Sequence, residues 1–582
     1  MSNPIISGFD VWVHALGLKA KGRVDNIENI SLEGIASLRK LILDLAIQGK
    51  LTTQDSKDEP ATKLLERITK EKNKLIPSGK QVTESIIASN EKPFQLPNGW
   101  TWSRLVSLGT TQTGSTPKTT ILEYFDGGEI PFIGPGQINK NGSIQETDKF
   151  LTELSSKFSS SAENGDIVMV CIGGSIGKCA IVKSKITFNQ QLNSIRPLLV
   201  KSTYLYLALN SNLFQNLILE KSTGSATPII NRSKWECIAV PLPPIEEQSR
   251  IVAKVDELMN LCDKLEKEQF SNLKTHQVLV KTLLETLTQA ADANELQSAW
   301  VRMSTHFDVL FCTEDSIEQL KQTILQLAVM GKLVKQEPND EPAGELLKKI
   351  NIEKLHLNDK GIIKDEKKLP PIESKEIPFS IPTSWSWCRI ADISILINGD
   401  RGKNYPSKEH YVESGIPFIT AANLGERFLK YDSLNYITED RYSLLRSGQI
   451  EANDILYCLR GSLGKCAIVD RIDKGAIASS LCIVRPFSGI SYNFLLNYFL
   501  SPLGNDLVRK HDNGTAQPNL SATDVKTFII PLPPIAEQNR IVARVEELFT
   551  LCDSLKEKLQ TSQDFKVLLS KTIVKQAVQC VF

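Results

Sequence analysis

Two stretches of this 582-residue chain are nearly the same, and they constrain its fold more than anything else in it. Pro241-Leu242-Pro243-Pro244-Ile245-Glu246-Glu247-Gln248 leads into Arg250-Ile251-Val252-Ala253-Lys254-Val255-Asp256-Glu257-Leu258. Pro531-Leu532-Pro533-Pro534-Ile535-Ala536-Glu537-Gln538 leads into Arg540-Ile541-Val542-Ala543-Arg544-Val545-Glu546-Glu547-Leu548. Both copies then reach Leu-Cys-Asp, at 261–263 and 551–553. Two such matches make the chain an internal duplication. Proline neither continues a strand ladder nor sits inside a helix, so each Pro-Leu-Pro-Pro marks the exit from a globular unit. Behind it, Ile251, Val255, Leu258, Cys262 and Leu265 step by 4, 3, 4 and 3, and Ile541, Val545, Leu548, Cys552 and Leu555 repeat the pattern. That is a heptad seam, which wants a partner helix. An amphipathic helix lying on a local core shows the same spacing. Two copies in one chain favour the two helices packing on each other, antiparallel, as a spacer.

Other landmarks recur in the same order. A helix is predicted from Ser31 to Gln48, with Leu38, Leu41, Ile42 and Leu45 on one face and Gly49 as its stop. Its copy runs from Ser316 to Met330, with Leu320, Ile324, Leu327 and Ala328, stopped by Gly331. Gly-Lys-Leu follows each, at 49–51 and 331–333. Asp58-Glu59-Pro60-Ala61 and Asp340-Glu341-Pro342-Ala343 read as helix openings. Lys-rich stretches near 71–80 and 354–368 read as exposed, mobile linkers. Residues 1–28 carry little signal.

Trp100 and Trp102 open the first globular unit, and Trp385 and Trp387 open the second. Trp-x-Trp suits a short strand showing both rings on one face. Such rings can stack on bases, but a place at the very start of a domain favours core packing. Strand, glycine turn, strand is predicted at Gly165–Val182 and again at Asn453–Val469, through Gly-Ser-Ile-Gly-Lys and Gly-Ser-Leu-Gly-Lys. One helix is expected near Tyr204–Glu220, with its copy near Tyr492–Lys510. Residues 111–160 and 398–450 align poorly between the halves. A duplicated scaffold with two divergent inserts suggests one job done twice on two targets.

The predicted architecture is therefore α/β (α+β): two mixed domains joined by long antiparallel coiled-coil spacer helices, with an internal pseudo-two-fold repeat. Its expected segments are an N-terminal helical segment (1–92), a first domain (93–243), a central helical region (244–376), a second domain (377–533) and a C-terminal spacer helix (534–582).

Charge nearly cancels, 68 Lys and Arg against 67 Asp and Glu. The balance neither announces nor excludes a nucleic-acid partner, because local patches matter more than the total. Eleven cysteines without a CxxC pair read as buried hydrophobes in a reducing compartment, and six scattered histidines show no metal spacing. The N-terminus lacks a secretory pattern and no run of 18 apolar residues occurs, so the chain is expected to be cytoplasmic, without a membrane partner. Gly-Ser-x-Gly-Lys fails as a phosphate loop: the spacing is wrong, cysteine follows the lysine, and strand rather than helix follows the turn. No methylation motif, cofactor fingerprint, zinc pattern or serine elbow appears.

Polar residues in the loops are the better prospects. The first unit offers Ser115, Thr116, Lys118, Gln137, Asn139, Lys140, Gln190 and Gln191. The second offers Arg401, Lys403, Asn404, Tyr405, Asn423, Arg460, Gln517 and Asn519. Arg and Lys suit guanine and Asn and Gln suit adenine, through bidentate contacts in the major groove. The same residues also form ordinary solvated turns.

The paired Pro-Leu-Pro-Pro-Ile-x-Glu-Gln-x-Arg-Ile-Val helices, the Trp-x-Trp openings, the Gly-Ser-x-Gly-Lys turns and Leu-Ala-x-x-Gly-Lys-Leu at 45–51 and 327–333 together resemble the specificity subunit of type I restriction–modification systems. The resemblance implies two target-recognition domains, each reading half of a bipartite site in double-stranded DNA, with the long helices setting the gap. It implies no catalysis and no cofactor on this chain. Its partners would be two modification subunits, methylating adenine with S-adenosylmethionine, and two restriction subunits using ATP and Mg. The helical segment before the first recognition domain departs from shorter members and reads as extra scaffold. A stand-alone DNA-modifying enzyme and a coiled-coil adaptor without DNA are the alternatives.

Overall fold

The structure, a computed structural model, describes residues 9–18, 30–75, 87–224, 227–290, 293–363, 369–512 and 518–579. The chain forms two units, Met1–Asn272 with Ser562–Phe582, and Leu273–Thr561.

The first unit begins with α1 (Phe9–His14), the hairpin β1 (Gly17–Leu18) and β2 (Ile30–Ser31), then α2 (Glu33–Ile47) and α3 (Ala61–Leu75). Its globular part runs β3 (Thr101–Arg104), β4 (Gly109–Thr113), β5 (Ile130–Ile133), β6 (Phe150–Leu151), β7 (Ser160–Ala162), β8 (Ile167–Val170), β9 (Cys179–Ile181), β10 (Ile186–Phe188) and β11 (Leu192–Pro197). There follow α4 (Ser202–Asn210), α5 (Asn212–Lys221), β12 (Ala239–Leu242) and the long α6 (Ile245–Gln289). One sheet has the order β4-β11-β8-β9 and is antiparallel throughout. A second, β6-β5-β10-β7, contains the parallel pair β5 and β10. β3 and β12 make a separate two-stranded ladder.

The second unit follows the same order, without a strand corresponding to β7. After α7 (Ala293–Ser304), α8 (Glu314–Val329) and α9 (Ala343–Asp359) come β13 (Ser386–Arg389), β14 (Ser394–Asn398), β15 (Ile416–Ile419), β16 (Asn435–Ile437), β17 (Ile455–Cys458), β18 (Cys466–Ile468), β19 (Ala476–Ile477) and β20 (Leu481–Pro486). α10 (Tyr492–Leu500), α11 (Pro502–His511), β21 (Ile529–Leu532) and the long α12 (Ile535–Gln579) close the chain. The sheets are β14-β20-β17-β18, β16-β15-β19 with β15 and β19 parallel, and the pair β13-β21.

The duplicated motif acts as a hub in each unit. Trp100 Nε1 donates to the buried Glu247 carboxylate at 2.8 Å, which also accepts from Thr52 (3.1 Å) and Gln54 (3.0 Å). Trp385 Nε1 donates to Glu537 at 3.0 Å, and Gln336 donates to the same carboxylate at 2.5 Å. Gln248 donates to the Pro243 carbonyl and accepts from the Lys201 N–H; Gln538 does the same with Pro533 and Ser491. Arg250 pairs with Asp58 and Arg540 with Asp340, each at 2.5 Å. Glu, Gln and Arg of the motif thus fasten the start of each long helix to the Trp-x-Trp opening and to the Asp-Glu-Pro-Ala turn. The first tryptophan of each pair is core, and the second lies against Phe94 or Phe379, so the rings serve packing. The strands begin one residue after that first tryptophan. Pro241 and Pro531 sit within the ladders opposite Trp102 and Trp387, a place open to proline because these strands are at an edge.

The seams have more partners than the heptad reading expects. Ile251, Val255 and Cys262 are buried, with Leu258 and Leu265 partly so, in a core shared with Leu38, Leu41 and Leu45 of α2 and with Ile573, Val574 and Ala577 of α12. Ile541, Val545 and Cys552, with Leu548 and Leu555, share the other unit's core with Leu320, Ile324 and Ala328 of α8 and with Val280, Leu284 and Leu287 of α6. The start of each long helix therefore meets the end of the other, an antiparallel order, with a short helix alongside. Polar contacts tie α2 in place: Arg39 to Asp263 (2.6 Å) and Glu266 (2.9 Å), and Ser37 to Ser570 (3.2 Å). α8 has Lys321–Asp553 (2.5 Å) and Gln277–Asp315 (2.9 Å). The extra helical segment is a structural member of this packing.

Several expectations are corrected. The helices predicted at 204–220 and 492–510 are each broken, at Ser211 and Ser501. Both serines cap the following helix, Ser211 accepting from Phe214 N–H and Ser501 from Gly504 N–H. The expected linker at 71–80 begins as helix through Leu75, and Lys72 is buried, donating to the Val106 carbonyl; 76–80 lie outside the described residues. The copy at 354–368 is helical to Asp359, with 364–368 outside the described residues. Trp12 of α1 is buried, although six helical residues are too few to show a period. The segments read as divergent carry the same tetrapeptide, Ile-Pro-Phe-Ile, as β5 and β15.

Candidate nucleic-acid interface

The strand registers gather the loops of each unit at one end of its antiparallel sheet. Thr113 at the end of β4 faces Asn193 of β11, Val170 at the end of β8 faces Leu192, and Cys179 at the start of β9 faces Met169. Loops 114–118, 171–178 and 189–191 therefore emerge together. The second unit does the same with Asn398 facing Cys482, Cys458 facing Leu481, and Cys466 facing Tyr457. Its loops are 399–405, 459–465 and 478–480.

Within the first unit, Ser115 N–H donates to the Phe188 carbonyl at 3.1 Å and its hydroxyl donates to the Phe158 carbonyl at 3.3 Å. Thr116 Oγ1 donates to Gln190 Oε1 at 2.7 Å, leaving that side chain's amide N–H groups as donors. Gln191 Oε1 accepts from Asn189 Nδ2 at 3.1 Å. Ser115, Thr116, Gln190 and Gln191 are thus brought together. Gln137 adjoins them, because Asn189 N–H reaches the Ile133 carbonyl; its Oε1 accepts from Gly134 N–H at 3.0 Å and closes the turn after β5. Asn139 and the exposed Lys140 sit apart in the 138–144 turn, where Asn139 Nδ2 donates to Ser143 Oγ at 2.7 Å. Lys118 is exposed at the end of the first loop.

In the second unit Arg401 and Lys403 are exposed, on a loop held by Asp400. The buried Asp400 carboxylate accepts from Arg446 N–H (2.8 Å) and Gly402 N–H (2.6 Å), which hold it below the usual carboxylate range. Asn404 donates to the Leu444 carbonyl at 3.1 Å, and the Tyr405 ring packs edge-on to Phe418 at 5.8 Å. Arg460 and Asn519 form a backbone bridge and both are exposed. Asn423 is the clear correction. It is 1% exposed; its Oδ1 accepts from Thr420 N–H and Oγ1, and its Nδ2 donates to the Ser433 carbonyl. An amide buried with both ends bonded acts as a cap in the turn after β15, matching Gln137. Gln517 lies outside the described residues.

The stretch Ala478-Ser479-Ser480 went unnoticed in the sequence. Ala478 N–H bonds the Ile419 carbonyl as Asn189 N–H bonds Ile133, and Leu459 N–H bonds Ser480 as Cys171 N–H bonds Gln191. Asn189-Gln190-Gln191 and Ala478-Ser479-Ser480 therefore occupy one place in two copies of the fold. The glycine opening the neighbouring loop was a usable signal. A Cβ at Gly114 would stand 1.9 Å from the Asn189 carbonyl oxygen, and one at Gly399 would stand 2.5 Å from that of Ala478.

Among the described residues, no cluster of three or more His, Cys, Asp or Glu is placed to hold a metal ion, and no helix is long and apolar enough to cross a membrane.

The family described as Type I restriction modification DNA specificity domain matches residues 97–275 and 382–562. The type I restriction enzyme EcoAI specificity subunit of Escherichia coli is 35% identical over 597 residues, covering 99% of each chain. The EcoEI specificity subunit of the same organism is 35% identical over 611 residues, again covering 99% of each. The chain is also similar to the HsdS subunit from Thermoanaerobacter tengcongensis, 19% identical at a TM-score of 0.41, the match covering 85% of this chain and all of that one. Two family matches, one on each duplicated unit, and two full-length relatives place this chain in the type I restriction–modification DNA specificity family.

Proposed function

We propose that the chain is the recognition subunit of a type I restriction–modification complex, with one recognition domain in each unit (93–243 and 377–533) reading one half of a bipartite DNA site. The observation that carries this is the loop exchange on a common frame: Asn-Gln-Gln in one copy and Ala-Ser-Ser in the other at the same backbone position. A duplicated reader of one target would have no reason to differ there. Amide side chains suit adenine through paired hydrogen bonds, while Arg401, Lys403 and Arg460 give the second domain guanine-compatible donors. Specificity of this kind is worth about 1–3 kcal/mol per base pair, so loss of either half would abolish recognition.

Each long helix has 45 residues, about 68 Å at 1.5 Å per residue. That suffices to carry two readers about one DNA turn, roughly 34 Å, apart. The chain directs chemistry done by others: two modification subunits methylating adenine with S-adenosylmethionine, and two restriction subunits driven by ATP and Mg. Its own chemistry is recognition.

Sequencing of methylated adenines in DNA from cells expressing this chain with its modification partner tests the reading. A split motif with an unspecified gap is the expected outcome. A contiguous motif would mean that only one domain reads DNA, and the two-reader proposal would fall.

A further inference from the structure

The loop ends contain one feature that does not vary between the copies. Each antiparallel sheet carries a Gly-Ser-x-Gly-Lys turn at the same end as its variable loops, with Lys178 following β8 in one unit and Lys465 following β17 in the other. The two turns are built alike. Gly177 N–H donates to the Val170 carbonyl (2.9 Å) and Val170 N–H to the Lys178 carbonyl (2.8 Å). Gly464 N–H donates to the Cys458 carbonyl (3.2 Å) and Cys458 N–H to the Lys465 carbonyl (2.8 Å). Both lysines are half-exposed.

The first lysine's surroundings favour an anion: loops 114–118, 134–145, 171–178 and 189–191 contain no carboxylate. In the second unit, loops 399–405, 459–465 and 478–480 contain one, Asp400, which is buried with both oxygens bonded to backbone N–H groups, and the segment matching 134–145 adds the exposed Glu426 beside β18, opposed by Arg427 and Lys430. Lysine is a compact point charge on a flexible stem, without the planar fork that reads a base edge bidentately. In a DNA-binding surface, contacts that fix position go to phosphates and carry no sequence information, while base contacts specify. A charge kept at one position in two domains whose neighbouring residues differ has the first property and lacks the second.

Resting on the function proposed above, we infer that Lys178 and Lys465 are the backbone-positioning contacts of the two domains, each neutralising a DNA phosphate and setting the register in which the variable loops meet the bases.

The test uses the full chain in complex with its modification subunits, a short duplex carrying the mapped site and a duplex without it. Affinity is measured from about 50 to 200 mM salt for the wild type, Lys178→Gln, Lys465→Gln and the double variant. One phosphate contact contributes a slope of about 0.9 in log affinity against log salt, or about a threefold change over that range. The expected result is a slope reduced by about 0.9 in each single variant and about 1.8 in the double. Affinity should fall by the same factor on both duplexes, the methylated motif should be unchanged, and lysine-to-arginine should restore the slope. An unchanged slope overturns the inference, and so does a changed motif or a loss confined to the specific duplex, since each would make the lysines bystanders or base readers. A wild-type complex with no preference between the duplexes would refute the proposed function, yet the slopes would still decide the role of the lysines.

Discussion

The two recognition domains differ where they would meet DNA and agree where they meet the rest of the protein. At the hub the agreement extends to individual atoms: tryptophan Nε1 to glutamate, glutamine to the proline carbonyl, arginine to aspartate, each occurring once per unit. An Arg–Asp pair behind each sheet repeats too, Arg196–Asp166 and Arg485–Asp454, both at 2.8 Å. At the loop end the backbone bonds persist while side chains change, Asn189-Gln190-Gln191 against Ala478-Ser479-Ser480. Backbone hydrogen bonds constrain only geometry, so a sheet end can keep its shape while its side chains are exchanged. This separates a loop surface free to vary from a frame that is not.

Exchanging the domains breaks the comparison most forcefully. Replacing residues 96–235 by the equivalent domain of a relative should change one half of the methylated motif completely and leave the other half and the gap untouched. A change in both halves would show that the frame does not insulate the domains.

The hub is the next target. Trp100→Ala removes a buried ring and the donor to Oε2 of the Glu247 carboxylate, so a loss of about 3–5 kcal/mol is expected. Trp385→Ala should cost as much in the other unit. Hydrogen exchange on each variant should place the loss in the unit that carries it.

Asn423→Ala should destabilise the second domain by about 0.5–2 kcal/mol, because the change removes the bonds that this buried amide makes to Thr420 and Ser433. Gln137→Ala, at the matching but more exposed cap, should cost about 0.5–1 kcal/mol. Denaturant melts measure both, and the base preference of the second domain should survive the loss of Asn423.

pH separates a further contribution. Burial raises the Glu537 carboxyl above the usual carboxylate range, against the bonds from Trp385 and Gln336. The folded state then holds this proton more tightly than the unfolded state. The stability this contributes is complete below about pH 4.5 and is lost as pH rises through the folded pKa. Glu537→Gln should remove that fall, so the variant gains on the wild type as pH rises above about 4.5, which melts across pH measure. An unchanged difference would mean that the carboxylate is as well solvated folded as unfolded.

The smallest effect is at the helix ends. Lys50 donates to the Ala577 carbonyl in the last turn of α12 (3.3 Å), and Lys332 to the Thr288 and Ala290 carbonyls at the end of α6 (2.8 and 2.9 Å). Lys332→Met should lower stability by about 0.3–1 kcal/mol by removing a cation from a helix C-terminus, with high salt reducing the difference.

Much of this frame was legible in the chain. The repeat announced two copies of one fold, Gly49 and Gly331 marked the helix stops where φ is +67° and +71°, and each Pro-Leu-Pro-Pro stands between a last strand and a long helix. Ile-Pro-Phe-Ile at 130–133 and 416–419 was equally legible, but four residues are easily lost between inserts of different length. The loop residues were less readable. Gln190 and Asn423 are both amides in polar loops, yet one is exposed beside Thr116 and the other is buried as a cap.

By itself the sequence determined the duplication, the order of elements, the apolar face of each long helix and the family. These follow from identity and periodicity, which are local properties of the chain. Only the tertiary structure decided what covers each seam and which polar side chains remain available. A heptad says that a face is apolar and leaves open whether α2, α8 or the other long helix lies on it. An amide says that hydrogen bonds will form and leaves the partner open, because partners such as Ser433 for Asn423 are brought near only when the strands between them have paired.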